Sequence, residues 1–416
     1  MRESAIPTRT LSGVRVLDLG QHEAGSTCGQ MLGWLGADVI KIEAPKTGDP
    51  GRRIGSPLQT QEPDPSGKDA WYFLMHNSNK RSVTLNLKDP RGKAILLGLA
   101  KSADVLVENM APGALERLGL GADVLQAAHP ALIVARIKAF GLSGPYSEYK
   151  AFDPISQAVG GILSLTGPMG GEPTRVGPSA ADSTSGLVCA AGILAALVQR
   201  NATKVGQQVE VSMQEAVLTL IRGRISDFYN TEPHETPRRV GNELVRGVPS
   251  GVFPCKGGGP NDYVYVVSSL VGVDMWARLL VLMGRTDLAG DERYATEKAR
   301  IANRDEVNAI FRAWTTTLTK YEVMERMNED GLLCGAVLDI ADLLTDRHLV
   351  ARGAIHEYEH PTRGTVRMPG PPVRLSASSG ATRRPPVLGE HTDEVLGDVL
   401  GFDAARLAEL RAEGVV

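Results

Sequence analysis

Val14-Arg15-Val16-Leu17-Asp18-Leu19, followed by Gly20-Gln21-His22-Glu23-Ala24-Gly25, is the stretch whose reading decides the fold. Four of its first six residues are apolar, and a glycine ends the run, so it reads as a buried strand entering a turn. A helix follows through Gln30-Met31-Leu32-Gly33-Trp34-Leu35, and Asp38-Val39-Ile40-Lys41-Ile42-Glu43 supplies a second strand. The alternation continues with a strand at 82–87, a helix at 91–100, a strand at 104–107, a short helix at 113–118 and a strand at 132–138. Strands separated by helices imply a parallel sheet covered on both faces, an α/β large domain of Rossmann-like form. Yet the turn after the first strand carries no G-x-G-x-x-G, and no G-x-x-x-x-G-K-[ST] occurs anywhere. Nicotinamide enzymes and P-loop NTPases therefore both lack their phosphate-binding signature here.

Working outward, 416 residues are enough for two domains and a large core. A net charge of −3 supplies no basic field for nucleic acid or an anionic membrane, and 5% aromatic residues argue against a base-stacking platform. The four cysteines and eight histidines are scattered, with no C-x-x-C pair among the cysteines, so neither a metal site nor a disulfide framework is expected. The longest apolar stretches, such as 187–198, are broken by small residues and fall short of the roughly 20 residues that span a bilayer. The first residues hold no apolar leader core, and a cytoplasmic location is the expectation.

The segment 46–71 is rich in Gly, Pro and polar residues and reads as a long functional loop. From 230 to 251 the chain turns polar and Pro/Arg/Gly-rich, as a linker does. Strands at 252–255 and 262–268 and helices at 273–283, 305–314 and 320–329 then form a smaller α+β domain. Strand character returns at 335–339, 356–361 and 365–368, and a last helix starts at Thr392. The expected organisation is a discontinuous large domain, 1–229 with 336–416, and a small domain at 230–335.

One carboxylate stands out, in Gly177-Pro178-Ser179-Ala180-Ala181-Asp182-Ser183-Thr184-Ser185-Gly186, just before the apolar run. An Asp ahead of a helix is a favoured N-cap. The same placement at the positive end of a helix keeps a carboxylate ionised and available as a covalent nucleophile. Spacing alone leaves both open.

Taken together, 14–19, 35–43, Asn79-Lys80-Arg81-Ser82, Asp104-Val105-Leu106-Val107-Glu108-Asn109 with Pro112-Gly113, the Asp182 segment, Gly206–Ala216 and Gly389-Glu390-His391-Thr392 resemble the class III CoA-transferases, the family of formyl-CoA and carnitine CoA-transferases. The resemblance runs through nearly the whole chain in order. It implies that Asp182 attacks an acyl-CoA thioester, giving an aspartyl–acyl anhydride and then an aspartyl-CoA thioester. Coenzyme A is then a substrate, a carboxylic acid the acceptor, and the protein an interlocked homodimer. His22, Leu85, Lys88, Asn109, Met110, Arg117, Leu118, Lys138 and Met213 fall at positions that border CoA in the family. Arg117 also reads as a plain helix-end cation, Met213 as core, and Lys80 with Arg81 as either a phosphate contact or a solvated patch.

Tyr72 and Phe140 match the substrate pocket, Phe140 standing where the family has Tyr. Glu23, a second catalytic candidate, stands where the formyl-CoA transferases have Gln. Ionised, it repels an oxalate-like dianion; protonated, it orients an acceptor. A glycine run over the active site is replaced by the shorter, charged 241–247. A racemase of the same superfamily is the alternative reading, but its proton-relay histidine is missing from Lys150-Ala151-Phe152-Asp153-Pro154-Ile155. A catalytically inert CoA-binding protein is the other alternative.

Overall fold

A computed structural model describes residues 9–55, 69–242, 247–270, 273–378, 380 and 382–416. The chain divides into two compact units, the first of 1–164, 175–237 and 351–416, the second of 165–174 and 238–350. The crossings thus lie after 237 and after 350, later than the expected 229 and 335, and 165–174 also joins the second unit. The core of the expected 46–71 loop and residues 243–246 of the charged 241–247 segment lie outside the described residues.

The first unit begins β1 (Arg15–Asp18), α1 (Ala24–Trp34), β2 (Asp38–Glu43), α2 (Trp71–His76), β3 (Lys80–Thr84) and α3 (Pro90–Ala100). It continues with β4 (Val105–Glu108), α4 (Ala114–Arg117), α5 (Ala122–Ala128), β5 (Ile133–Lys138), α6 (Asp153–Val159) and α7 (Ile162–Leu165). Next come α8 (Ala180–Thr203), β6 (Gln208–Ser212) and α9 (Met213–Tyr229). Six strands form one sheet in the order β3-β2-β1-β4-β5-β6, with every pair parallel. This is the doubly wound order, in which strand direction of travel reverses between β1 and β4. Alternate residues of each strand feed two cores. Leu17, Ile40 and Val83 pack with Ile95, Leu96 and Leu99 of α3. Val16, Val39 and Val105 pack on the other face with Cys28 and Leu32 of α1 and Cys189 and Ile193 of α8. Burial on both faces explains why the strands read as near-continuous apolar runs.

Helix α8 is 24 residues long, with mean hydropathy 1.6 over its most apolar window. By length and composition it reaches what a bilayer crossing requires, contrary to the expectation from the broken run 187–198. Its buried residues Ala181, Ser185, Gly186, Cys189, Ala190 and Ile193 nevertheless pack onto α1 and the sheet, the packing of a core helix. Gly186 matters here, because a Cβ there meets the Ala24 carbonyl at 2.5 Å.

The second unit carries β7 (Ser250–Pro254), β8 (Tyr263–Val267), the short pair β9 (Ser269–Leu270) and β10 (Val273–Asp274), and α10 (Trp276–Met283). It is completed by α11 (Glu297–Ala302), α12 (Arg304–Thr315), α13 (Lys320–Glu329), β11 (Leu333–Ala336), α14 (Ile340–Thr345) and α15 (Arg347–Ala351). The antiparallel sheet β11-β8-β7 packs through Phe253, Val264 and Val266 on Trp276, Leu279, Phe311 and Val323. A Thr319–Glu322 capping box starts α13.

The chain then returns to the first unit as the hairpin β12 (Ile355–His360) and β13 (Gly364–Pro369). Helices α16 (Thr392–Leu400) and α17 (Ala404–Ala412) follow, and their Val395, Leu396, Leu407 and Leu410 complete the α3 core. The large unit is therefore built from both ends of the chain.

Candidate functional site

Open α/β sheets bind ligands outside the carboxyl ends of their strands where the winding reverses. Here that point lies between the turn after β1 and Asn109-Met110 after β4. Asn109 clamps the turn by accepting from Gln21 N at 2.7 Å and donating to Gln21 O at 2.9 Å. Asp18 accepts from Gly20 N at 2.8 Å, and Asp49 accepts from His22 N at 3.1 Å. His22 takes the left-handed backbone, φ 56, a conformation that costs a side-chain-bearing residue free energy and so persists only when its neighbours fix it.

Beneath the turn lies a layer of buried charge. Lys41 binds Gly20 O at 2.7 Å and Asp49 at 2.8 Å. Lys80 binds Asp18, Ser26 O and Asn77 at 2.7–2.8 Å. Burial pushes the Lys80 ammonium down to about 8, against the pull of Asp18. Lys80 is thus neither a phosphate contact nor a solvated cation. Arg81 is engaged by Asp38 at 2.7 Å and Glu394 at 2.9 Å. The expected basic pair is a structural element. Glu108, fully buried, plays the same part at β4, accepting from Arg136, Lys138 and Met110 N.

Asp182 lies inside the first turn of α8, whose N-cap position is Ser179. It is not the cap. Asp153 of α6 does that work, its Oδ1 accepting from Ala181 N at 2.8 Å and Asp182 N at 3.4 Å. The Asp182 carboxyl has no hydrogen-bond partner among the described residues. Burial, then the neighbouring charges of Glu23 and Asp153, push it up to about 7, against the opposing charge of His76. The helix dipole favours the ionised form, but burial and two like charges outweigh it.

Glu23 is 6% exposed, so it is no solvated loop residue. Its Oε1 accepts from Ser183 Oγ at 2.5 Å, and its Oε2 lies 3.6 Å from His76 Nε2. Burial pulls this carboxyl upward, but the bond and charge of His76 and the hydroxyls of Ser183 and Ser179 outweigh it and hold it low. Of the two carboxyls, Asp182 is therefore the one that holds a proton near neutrality, with Glu23 ionised beside it. Burial, then the nearby carboxylates of Glu23, Asp182 and Asp49, drives the ionisation of the Tyr72 hydroxyl far upward.

A cavity of about 260 Å³ opens above Asp182, bordered by His22, Asn109, Met110, Lys138 and Met213. A second, of about 490 Å³, is bordered by Leu85, Lys88, Leu118 and Lys46. Gln21 and Met110 border both. Arg117 borders neither and donates to Pro112 O at 3.1 Å. Phe140 also lies off both cavities, edge-on to Tyr146 and Tyr149, of which Tyr149 reaches the first. Lys138 reaches the cavity with its ammonium already on Glu108 and Met110 O. His76, Ser183, Asp153 and Glu108 were not among the expected site residues. The histidine lies four positions after Tyr72, one helical turn on, which is the only signal the sequence offers for it.

Comparison with known proteins converges on one family. The profile of CoA-transferase family III matches residues 11–392. A formyl-CoA:oxalate CoA-transferase of Rhodopseudomonas palustris is 41% identical over 424 residues, 98% of this chain and 97% of that protein. One of Streptomyces coelicolor is 40% identical, covering 98% and 99%. Among solved structures, a CAIB/BAIF family protein from Brucella suis superposes with a TM-score of 0.82 at 31% identity, over 93% of this chain and 98% of the other.

Proposed function

The chain belongs to CoA-transferase family III and is a class III CoA-transferase, and we propose that it moves CoA between carboxylic acids with Asp182 as the covalent nucleophile. The observation that carries this is the Asp182 carboxyl itself, without a hydrogen-bond partner among the described residues and open to a cavity at the winding reversal. Ionised Asp182 attacks the thioester carbonyl; the C–S bond breaks, leaving an aspartyl–acyl anhydride and CoA thiolate. The thiolate attacks the aspartyl carbonyl, giving an aspartyl-CoA thioester and releasing the donor acid. The acceptor carboxylate then displaces the thiolate, forming a second anhydride. Attack of the thiolate on the acceptor's carbonyl yields the new acyl-CoA and frees Asp182. Each intermediate conserves the activation of the starting thioester.

The adenosine end of CoA fits the larger cavity, where Lys46 and Lys88 supply positive charge, and the pantetheine arm passes Gln21 and Met110 toward Asp182. The acids are a formyl-CoA:oxalate-like or related pair, as the relatives' names suggest. Ionised Glu23 adds a charge that a dianionic acceptor has to face. The racemase alternative loses ground because Asp153, in the matching segment, is spent on the amides of α8. We include a homodimer in the reading, supported by apolar residues exposed on α8 (Leu187, Val188, Val198) and α9 (Leu218, Leu220, Tyr229). Four free cysteines, three of them buried, suit a reducing, cytoplasmic setting.

Incubation with acyl-CoA donors followed by hydroxylamine or borohydride trapping should modify the peptide that holds Asp182. Turnover without modification of that peptide sinks the assignment.

A further inference from the structure

We propose that His76 is a positioning residue of this reaction, carrying a proton toward Glu23 and so fixing Glu23 and Ser183 beside Asp182. The inference rests on the nucleophile reading above. The tautomer follows from geometry. His76 Nδ1 lies 2.8 Å from the Tyr72 carbonyl oxygen, which only accepts, so Nδ1 must carry hydrogen. A neutral ring would then turn the bare lone pair of Nε2 toward Glu23 Oε2, 3.6 Å away. Two acceptors facing each other repel, and a proton on Nε2 removes the conflict. The other Glu23 oxygen already accepts from Ser183 Oγ at 2.5 Å, and Ser183 is the residue next to Asp182. Tyr72, on the same helix as His76, stacks tilted against the ring at 4.8 Å. From α8 the facing groups are Asp182, Ser179 and Ser183; from the turn, Glu23; Asp49 is taken up by Lys41. Among the described residues, the imidazolium is the cation that Glu23 and Asp182 otherwise lack. It opposes the burial and like charge that keep Asp182 protonated.

The test reads kcat/KM for acid exchange between about pH 5 and about pH 9, with Asp182→Asn as the inactive reference. His76→Gln keeps a donor toward Glu23 but no charge. Its acid limb should move up by about half to one pH unit, with the rate on the alkaline plateau within a few-fold of wild type. His76→Phe removes donor and charge and should move the limb equally while also lowering the plateau. A limb that stays at the wild-type position in both variants overturns the proposal, whatever happens to amplitude. Should the variants fail to fold, nitrogen-15 spectra of the histidines in the wild-type enzyme decide it. Protonation at both ring nitrogens of His76 near neutral pH supports the proposal; a neutral ring, with either nitrogen free, overturns it. If Asp182→Asn retains exchange, the nucleophile reading fails instead, and the spectra still decide the state of His76.

Discussion

The turn after β1 and the first turn of α8 border the same cavity, yet they are built in opposite ways. In the turn, polar groups are held on all sides: Gln21 by Asn109, His22 N by Asp49, Gly20 by Asp18 and Lys41. In α8 the amides of Ala181 and Asp182 are capped by Asp153, while the Asp182 side chain is left without a partner among the described residues. Burying ionisable groups is tolerated when each is paired. Leaving one unpaired beside like charges costs stability, and such sites concentrate where reactivity needs a perturbed group. The clamped region fixes geometry; in the proposed mechanism the unclamped carboxyl supplies the chemistry.

Asp182→Ala breaks the comparison most severely. Acid exchange should fall by at least about 10³-fold, since among the described residues no other carboxyl borders the Asp182 cavity. CoA affinity by calorimetry should change no more than a few-fold. Residual exchange near wild-type rates would show that the unclamped carboxyl is not the reactive one.

Lys80→Met probes the clamped side. It leaves the buried Asp18 side chain without its ion-pair partner, a change that costs about 3–5 kcal/mol in buried pairs. Urea unfolding should show a loss of that order. Arg81→Met, at a partly exposed pair with Asp38 and Glu394, should cost about 1 kcal/mol or less. Equal losses would mean that the two basic residues do the same work.

How much of this is legible in the sequence follows from the same contrast. Strand β2 reads with its observed bounds because Val39, Ile40 and Ile42 are apolar and β-branched. Strand β3 begins two residues before its expected start, since Lys80 and Arg81 look like surface residues until Asp18 and Asp38 are brought beside them. Strand β6, Gln-Val-Glu-Val-Ser, is a polar edge strand with no expected element, and α2, α5, α6, α9 and α17 are likewise new. Asp182 is readable as a candidate from its place just ahead of an apolar helical run. Asp153, Glu108 and His76 act through partners far away in sequence, and only the folded sheet brings them together.

The carboxyl's pH dependence sharpens the comparison at a smaller scale. With Asp182 pushed up to about 7, the acid limb of wild-type exchange should lie near neutrality, activity rising with pH. The stability sign is opposite. A carboxyl whose folded value is raised contributes stability below the ordinary range of about 4, and that contribution is lost as pH rises through about 7. Asp182→Asn should therefore match wild type in thermal unfolding near pH 4 and exceed it by about 1–2 kcal/mol near pH 8. No gain at the higher pH would mean that the carboxyl is better solvated than its surroundings indicate.

The smallest expected effect lies at the residue that joins the two regions. Glu23 ends the clamped turn and faces the unclamped carboxyl, and its charge helps to keep Asp182 protonated. Glu23→Gln keeps the size of the side chain and an oxygen that accepts from Ser183, while removing the charge. Most activity should survive. The acid limb should move down by about half a unit as the like charge beside Asp182 disappears. A dicarboxylate acceptor no longer approaches a second fixed anion, so its kcat/KM should rise a few-fold relative to a monocarboxylate of similar size. Glu23→Ala also loses the acceptor for Ser183 and the carboxylate facing His76, and should lower exchange with both acceptors by about tenfold or more. If wild type, Gln and Ala show one limb and one acceptor preference, Glu23 belongs wholly to the clamp and contributes nothing to the chemistry beside it.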